Sequence, residues 1–550
     1  MGDRALDLPP PPVLVPAVQE APAASQPAAS QPPTSQPPTS QAAEPRPERT
    51  LGHDVPAARA DGIQVIEGSV RRSGTTTLPQ AGPSGLRSGQ IATSAAQQRP
   101  ITDIYDRDGL HVRWYLQSGL NYDIENNLFW NLASVFSPQS RFNSDENWLE
   151  GYAKPGVGFD KTFADGAIFY GKISAVASRT WGTDAFDSRN QGAITLEEGY
   201  LGFRTGGAGA KFDLSVGPRE LTLGSGMLIA NGGVNGFERG ALKFGPRKAW
   251  KKAAIGRIIN GRQTITGYFI EPRELPSNNG RNQLAGVDFR YDAPNEDFLG
   301  FTYINVLRSE SPYIRAAPGG VGEPTIIPDG RDQTNVVNLY FRGSRDTGPL
   351  RNWFITGDAA YQWNNRINMS AWAARGQIGY KFADTPWTPT LIYTAKYFSG
   401  DNPDTPKLER FDPLYYEGSP GIWATGAESS MVFINTNVKA LEFSGAVQPS
   451  QKITVTLRYS YIAAAQLDSP LQFGQATRFV RTPSGYNLVD GVTRSHLSDD
   501  FFLEYNQILT SNMFLTIGLA ASFPGAGIKA AIPGKAPTWT GAFANVVINF

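Results

Sequence analysis

The sequence contains no cysteine and only three histidines in 550 residues. Without cysteine there are no disulfide bonds, no thiolate zinc sites and no cysteine nucleophiles. Lysine plus arginine and aspartate plus glutamate each number 50, so the formal net charge is zero. This balance argues against a general nucleic-acid binder, which would need a basic excess. No apolar run approaches the ~18 residues that a membrane-crossing helix requires, which excludes a helical membrane protein.

Alternation of apolar and polar residues is the main pattern that the sequence does contain. In Leu110–Leu120 and in the final stretch Trp539–Phe550, apolar side chains recur at almost every second position. A period of two places these side chains on one face of a β-strand. Membrane barrels hide their hydrophobicity in this alternation, and a last strand that ends in Phe550 suits closure against a first strand. Further alternating segments are Phe212–Val216, Val287–Tyr291, Val337–Phe341, Ile378–Phe382, Leu391–Tyr397, Ile453–Tyr461 and Met513–Phe523.

The connections between these segments are of two lengths. Short turns are expected at 163–166, 383–386 and 509–512, and long loops at 277–283, 309–334, 400–430 and 467–499. Short turns at one end and long loops at the other are typical of outer-membrane barrels. The fold class predicted is therefore all-β, a transmembrane antiparallel β-barrel of about 18 strands over residues 101–550. A soluble propeller would show a repeat of ~40–50 residues, and none is evident. The stretch Leu128–Phe136 fits either a short edge strand or a helical turn.

Residues 1–100 differ from the rest in composition. They are rich in proline, alanine, serine and glutamine, with two Pro-Pro-Thr-Ser-Gln units between Pro27 and Gln41. Such a segment buries too little apolar surface to offset its ordering entropy, so a disordered arm is predicted. The arm is either an inert tail or a spacer that recruits periplasmic partners. Met1–Glu20 lacks the basic start and apolar core of a secretory signal, so a processed or altered start is expected for an exported chain.

The polar face of each predicted strand should line a water-filled lumen, because the apolar face must meet lipid. Arginine rings are the expected lining of anion-selective pores, and arginine binds carboxylates through two hydrogen bonds. The alternative is that each arginine pairs with a neighbouring carboxylate and fills the lumen, as Arg219 beside Asp213 or Arg290 beside Asp288 would. The inward cations are predicted to be Arg113, Lys172, Arg204, Arg219, Lys243, Arg290, Arg342, Arg375, Lys381, Lys396 and Arg458, and the inward anions Glu198, Asp213, Asp288, Asp358 and Glu504.

Four sequence motifs carry a family resemblance. They are Leu196–Phe203, Phe212–Gly224, Tyr397–Asn402 and Phe411–Tyr415. With these motifs the chain, over Leu110–Phe550, resembles the alginate-export family of outer-membrane channels. The resemblance implies a monomeric barrel of about 18 strands, with an arginine-rich constriction that passes a uronic-acid polysaccharide outward. The family usually has Gly-Arg-Gln in the second motif, whereas Gly217, Pro218 and Arg219 place the arginine one position later.

The function expected is a non-enzymatic outer-membrane channel for an anionic exopolysaccharide such as alginate. The alternatives are a substrate-specific uptake porin for small anionic or sugar-acid solutes, and a docking barrel whose arm recruits periplasmic partners. No cofactor, metal or nucleic acid is expected.

Two further groups of residues could indicate a different function. His496 is the only histidine near both serine and aspartate, but neighbours in sequence rarely form a catalytic triad. The loop that carries Asp401, Asp404, Glu409 and Asp412 is acidic enough for a hard cation such as Ca²⁺. A solvated acidic loop is the preferred interpretation, because no known ligand spacing supports the cation site.

Overall fold

A computed structural model describes residues 103–550 except 133–142, 208, 237, 277–278, 321–323, 346, 418–423, 472–478, 483–484, 489–490 and 533, so the predicted disordered arm lies outside the described residues. Within the described part, β-strands predominate and helices are short. The strands are β1 Asp103–Arg107, β2 Leu110–Asn126, β3 Glu146–Thr162, β4 Ile168–Gly182, β5 Gly192–Arg204, β6 Lys211–Val216, β7 Lys252–Asn260, β8 Gln263–Glu271, β9 Gln283–Asp292, β10 Phe298–Arg308, β11 Tyr313–Arg315, β12 Thr325–Ile327, β13 Asn335–Ser344, β14 Trp353–Asn364, β15 Met369–Lys381, β16 Thr390–Phe398, β17 Val438–Ser450, β18 Ile453–Ala464, β19 Phe479–Thr482, β20 Gly485–Leu488, β21 His496–Ile508, β22 Met513–Pro524 and β23 Trp539–Asn549. Short helical turns occupy Leu128–Asn131, Pro294–Glu296, Pro318–Gly320 and Glu428–Met431, and α1 spans Ala526–Ala531. Among the described residues, no helix is both long and apolar enough to cross a membrane.

The main sheet is a closed antiparallel barrel. It contains 19 strands, of which 18 form the ring, while β1 pairs only with the start of β2. Closure joins the last strand to the first, with Asn126 opposite Thr540 and Gln117 opposite Asn549. Beyond this register, the amides and carbonyls of Leu116 and Phe550 exchange two hydrogen bonds of 3.1 and 2.8 Å. The predicted fold class and the predicted closure by the final strand are both confirmed.

Side chains alternate between the two faces of the barrel wall, as β2 shows. Leu120, Tyr122 and Ile124 are exposed on the outer surface, whereas Asn121 and Asp123 between them are buried on the inner side. The outer surface is thus apolar and the strand side chains that point into the lumen are largely polar. This arrangement suits a barrel whose outside meets acyl chains, because all backbone polar groups of the wall are paired around the ring.

The two ends of the barrel differ. The connections 163–167, 261–262, 451–452 and 509–512 are short and lie at what we call the turn end, where Phe550 also lies. The opposite end, the loop end, carries longer connections, including 309–334 and 399–437. The predicted loop at 467–499 is too long by a few residues, because β21 already begins at His496. Leu128–Asn131 is a short helical turn, and the rest of the ambiguous stretch, 133–136, lies outside the described residues.

The loops pack an apolar cluster inside the loop end. Trp130 lies 5.5 Å from Trp539 and 5.6 Å from Phe433, and Phe129 lies 5.6 Å from Phe186. All five rings are almost fully buried. Burying this apolar surface holds the loops together over the mouth of the lumen. The predicted polar lining is therefore formed by the strands. The loops add this cluster as an apolar plug at the loop end, which the alternation in the sequence did not indicate.

Asp184, in the loop after β4, is a buried carboxyl at the edge of this plug. One of its oxygens accepts hydrogen bonds from the amides of Phe186 and Ser188, at 2.9 and 3.0 Å. Its second oxygen has no hydrogen-bond partner among the described residues. Burial raises the pKa of Asp184 to about 7, despite the two amides, and the charges of Asp187 and Glu146 add to the rise.

We expect the Asp184 carboxyl to make the stability of the loop end depend on pH. Its pKa in the folded chain lies above the ~3.9 of an unfolded aspartate, so the folded state holds the proton more tightly. The contribution of this group to the free energy of unfolding should then fall as the pH rises from about 4 to about 7. Asp184→Asn removes this titration and should make the protein more stable than wild type at pH 8, by roughly 1–3 kcal/mol, but not at pH 4.

Thermal unfolding in detergent at pH 4, 6 and 8 measures this difference. Asp108→Asn changes an exposed carboxylate at the turn end and should follow the wild-type profile. Equal stability of wild type and Asp184→Asn at pH 8 would contradict the expectation.

Candidate functional site

The strand register decides which predicted cations face the lumen. Asp213, buried on the inner side of β6, is opposite Arg204 on β5 and Arg257 on β7. Across the β14–β16 strands, Asp358 is opposite Arg375, which is opposite Lys396. Since directly opposed residues share a face, these side chains all point inward. The structure thus places the predicted inward residues in groups on particular walls of the barrel.

One group, the Asp213 cluster, gathers cations around a single carboxylate. Arg204 donates two hydrogen bonds to Asp213, of 2.9 and 2.7 Å. Arg219, which directly follows β6, donates to the hydroxyl of Ser215 at 2.5 Å and remains only 5 % exposed. Arg219 lies an even number of residues from Asp213 and Ser215, so its side chain is on the same, lumen-facing side. It therefore points inward although it lies one position later than the arginine of the family motif. Its assignment as an inward residue is consistent with the structure.

Arg257 completes the Asp213 cluster and was missed in the sequence. Its side chain makes no hydrogen bond or ion pair with the part of the chain that the structure describes, although the charges of Asp213, Arg204 and Arg219 act on it. The strand signal was weak here, because Ile258 and Ile259 follow each other and interrupt the alternation. The cluster therefore opposes three guanidinium groups to one carboxylate.

Two tyrosines supply aromatic surface beside these arginines. The guanidinium of Arg219 lies 4.5 Å from the ring centre of Tyr200 and 5.7 Å from that of Tyr170. Tyr170 also donates its hydroxyl to Asp213 and lies 5.8 Å from the guanidinium of Arg204. Such stacking orients the arginines without neutralising them. The three guanidinium groups of the cluster therefore carry more charge than its single carboxylate balances.

Ion pairs fill the adjoining wall. Lys172 pairs with Glu198 at 2.6 Å and lies over the Tyr115 ring at 4.6 Å. Lys154, also missed in the sequence, pairs with Glu220 at 2.6 Å. These two lysines therefore follow the alternative in which an inward cation pairs with a neighbouring carboxylate.

A second group, the Glu442 cluster, lies on β14–β18, about half of the ring away from the Asp213 cluster. Lys396 pairs with Glu442 at 3.0 Å, and Arg375 lies 3.8 Å from Asp358. Arg458 stacks over the Phe502 ring at 5.7 Å and has no ion pair with any described residue. Glu442 is an inward anion that the sequence reading did not assign. Two cationic groups thus face each other across the lumen.

The remaining predicted cations lie elsewhere. Arg113, Arg290 and Arg342 lie near the turn end and pair with carboxylates, respectively Asp103 and Asp160, Asp292, and Glu296. Arg290 therefore does not pair with Asp288, which instead accepts hydrogen bonds from Thr302 and Tyr340. Lys381 closes β15 at the same end and has no side-chain partner among the described residues. Lys243 pairs with Asp123 and Glu125 towards the loop end.

The crossing loop, residues 217–251, connects the two walls and was absent from the predicted long loops. It leaves β6, and its tip reaches β13 and β14 on the other side of the lumen. There Ser225 donates to Asp358 at 2.5 Å, and Met227 contacts the amide of Asn338 at 3.6 Å. Gly224, with a positive φ of 58°, packs against the Tyr340 ring so closely that a side chain at this position would overlap it. The loop therefore narrows the lumen between the two clusters.

The base of the crossing loop is fixed to β4 and β5. Arg247 is fully buried and donates to the hydroxyls of Thr195 and Ser178, at 2.7 and 2.8 Å. Glu197, the extra residue of a β-bulge, accepts the amides of Lys248 and Ala249 at 2.6 and 2.8 Å. A buried charge held by several hydrogen bonds is costly to displace. The tip is held by backbone hydrogen bonds to Tyr415 and Glu417, in addition to the bond from Ser225.

The structure also corrects the predicted charge set. It adds inward anions that alternation had not assigned, so the predicted surplus of inward cations was too large. The acidic loop is solvated only in part, because Asp404 is exposed whereas Asp401 and Asp412 are buried. Asp401 accepts backbone amides and Asp412 pairs with Arg331 at 2.6 Å. Among the described residues there is no cluster of three or more aspartate, glutamate or histidine side chains that could hold a metal ion. The added inward anions are Asp123, Glu125, Glu150, Glu442 and Asp500.

Residues 329–541 match the family model described as alginate export. OpdK from Pseudomonas aeruginosa has a TM-score of 0.46 at 8 % identity, over 80 % of this chain and 98 % of that chain. OccK2 (OpdF) of the same organism has a TM-score of 0.46 at 10 % identity, over 80 % and 97 %. OmpT of Vibrio cholerae has a TM-score of 0.33 at 10 % identity, over 81 % and 100 %.

These structural likenesses concern the barrel fold alone, and no curated protein matches the chain. The family match covers β13–β22 entirely and includes the whole Glu442 cluster. It confirms the resemblance first indicated by the motifs of the sequence. The chain is a β-barrel of the bacterial outer membrane, and its residues 329–541 match the alginate-export family.

Proposed function

We propose that this outer-membrane channel passes an anionic, alginate-like polysaccharide along its lumen and catalyses no reaction. The observation that carries the proposal is the Asp213 cluster, in which Arg204, Arg219 and Arg257 surround one carboxylate. Charge in a water-filled passage with low-dielectric walls raises the local concentration of counter-ions. A uronic-acid polymer carries one carboxylate on each sugar ring and is attracted by such a wall.

The chemistry of the cluster suits transient binding of carboxylates. Arg257 has no partner among the described residues, so an incoming carboxylate does not have to displace an existing bond. Arg219 donates hydrogen bonds to Tyr170 and Ser215 and lies over the Tyr200 ring, so it contributes positive charge to the cluster. The tyrosine rings also offer flat apolar surface to a sugar ring. Many weak contacts of this kind permit sliding without trapping, which conduction requires.

The Glu442 cluster supplies a second contact on the opposite wall. Arg458 stacks on Phe502 and faces the lumen without an ion pair to the described residues. A flexible polymer could touch both walls in turn, whereas most other inward cations are already paired. We infer that Arg257 and Arg458 contribute more to solute binding than the paired residues Arg113, Arg204, Arg290, Arg342, Arg375 and Lys396. Lys381, also without a partner among the described residues, would then attract the solute at the turn end.

Uptake of small anionic or sugar-acid solutes is a second candidate function. It is favoured by the crossing loop, which is tied to the far wall through Ser225 and Asp358 and leaves less room for a polymer. The two functions use the same cations but require different widths. The two functions can be told apart by whether long oligomers, as well as short ones, enter and block the lumen.

The polysaccharide proposal predicts an anion-selective pore that polyuronate blocks. In planar bilayers the purified full chain should prefer chloride to potassium, and polyuronate should reduce the current from one side, whereas a neutral dextran of similar length should not. Arg257→Gln and Arg219→Gln should each lower the anion-to-cation permeability ratio by roughly two- to fivefold, about 0.5–1 kcal/mol of electrostatic attraction.

Lys452→Gln is the matched control, because Lys452 is a cation in an exposed turn. It should leave both selectivity and block unchanged. A cation-selective pore that is indifferent to polyuronate would refute the proposal. Block by uronic-acid monomers that equals the block by long polymers would favour the small-solute function instead.

The anchored loop predicts a conductance change in a separate variant. Ser225→Ala removes the hydrogen bond that the loop tip donates to Asp358, and bonds to charged groups contribute about 1.5–3 kcal/mol. The tip should leave the far wall roughly tenfold more often or more, which should appear as larger and noisier single-channel currents.

Ser511→Ala, in the exposed turn before β22, serves as the control and should keep the wild-type conductance. Removal of residues 222–230 should enlarge the current further. If neither the Ser225 variant nor this deletion changed the conductance, the loop would not narrow the conducting path.

A further inference from the structure

The outer surface of the barrel has a groove at β6–β8. Its floor is formed by Gly256 on β7 and Gly267 on β8, which lie directly opposite each other. Leu214 and Val287 flank this pair on the neighbouring strands. With two side chains missing in the middle of one row, the surface is indented by a groove of about 460 Å³.

Several other glycines of the outer surface are covered by an aromatic ring of this chain. A side chain at Gly151 would meet Trp181 at 3.1 Å, and one at Gly171 or Gly357 would meet Phe159 or Phe341 at 2.7 or 2.4 Å. Rings that cover glycines in this way restore the packing of the sheet.

Gly256 and Gly267 lack this cover. At Gly256 the nearest atom of the described structure is a methyl carbon of Leu214 at 3.9 Å, and at Gly267 none lies within 4 Å. The place that a ring occupies elsewhere is thus left for a group from outside the chain.

The walls of the groove are apolar and continue toward the turn end. Phe203, Phe212, Ile258 and Ile265 line it, and each exposes at least 42 % of its surface. Ile258 and Ile265 are opposite each other within two residues of the turn that joins β7 to β8. The lining also reaches Thr205, just after the end of β5. A long, flexible apolar group could therefore enter from the turn end and lie over the glycines.

We propose that this groove binds one acyl chain of a phospholipid from the periplasmic leaflet of the outer membrane. In outer-membrane barrels the short turns face the periplasm, so the groove opens within that leaflet. A second copy of this chain is disfavoured as the occupant. The groove is lined by 11 residues, whereas stable protein interfaces use about 20–30 residues on each side.

The position of the groove gives the acyl chain a structural role beside the lumen. Arg257 directly follows Gly256 and points to the other side of the wall, opposite the buried Asp213. At this point only a single layer of backbone separates the charged cluster from the membrane. A bound acyl chain restores the apolar thickness that the glycines remove, and so keeps water away from the outer side of the cluster.

Photo-crosslinking of the full chain tests the proposal. The protein is reconstituted into phosphatidylethanolamine vesicles that contain a phosphatidylcholine with a diazirine on its acyl chain. After irradiation, peptide mass spectrometry should find crosslinks concentrated in β6–β8, in excess over the outer surface of β15. Uniform labelling around the barrel would overturn the proposal.

Two glycine variants make the test specific to the groove. Gly256→Leu fills it and should lower labelling of β6–β8 by roughly tenfold, the change expected when about two methylenes lose their burial. Gly376→Leu is the matched control, because Gly376 is also an exposed strand glycine with no atom of the described structure within 4 Å of an added side chain. It should leave this labelling unchanged, and heat-dependent electrophoretic mobility shows that each variant is folded.

Native mass spectrometry of protein extracted from outer membranes identifies the occupant. One retained phospholipid, lost in Gly256→Leu but kept in Gly376→Leu, supports the proposal. A retained lipid A, or a dimer that dissociates in Gly256→Leu, would overturn it in favour of another occupant.

Discussion

Closure of the sheet is the constraint on which the rest of this structure depends. In a hydrocarbon environment every unpaired backbone amide or carbonyl costs several kcal/mol, so a membrane-spanning sheet cannot have a free edge. The pairing of β23 with β2, extended by the two hydrogen bonds between Leu116 and Phe550, removes that edge. Once the ring is closed, strand alternation assigns each side chain to lipid or to lumen. The apolar outer surface and the charged inner wall are two consequences of the same closure.

Inside the ring, the lumen has to accommodate buried charge. Most inward cations are paired, as in Lys172 with Glu198 and Lys396 with Glu442, because an isolated charge in a narrow passage is costly. Among the described residues, Arg257 and Arg458 are exceptions on opposite walls, and Lys381 is another at the turn end. The crossing loop runs between these walls, so the same segment that narrows the passage lies between the two cationic groups. Width and charge are therefore coupled in this channel.

The fold class predicted from the period-two pattern was confirmed. Leu110–Leu120 and Trp539–Phe550 form adjacent strands of the ring, and the family resemblance is matched over residues 329–541. The predictions of which side chains pair with each other were less complete. Alternation placed Arg290 beside Asp288, yet the register and side-chain rotamers pair Arg290 with Asp292. Arg257 was missed because two consecutive isoleucines obscure the period of β7. A pattern along one strand reports the face of a residue but not which residue of another strand it meets.

The sequence by itself determined the barrel, its approximate number of strands and the polarity of its two faces, because these follow from a local period and from the need to pair every backbone group. Only the tertiary structure decided that residues 217–251 fold into the lumen, that Asp213 collects three arginines, and that Gly256 lies opposite Gly267. Each of these depends on contacts between segments far apart in the chain, such as Ser225 with Asp358. Such contacts form only when the closed ring brings these segments together.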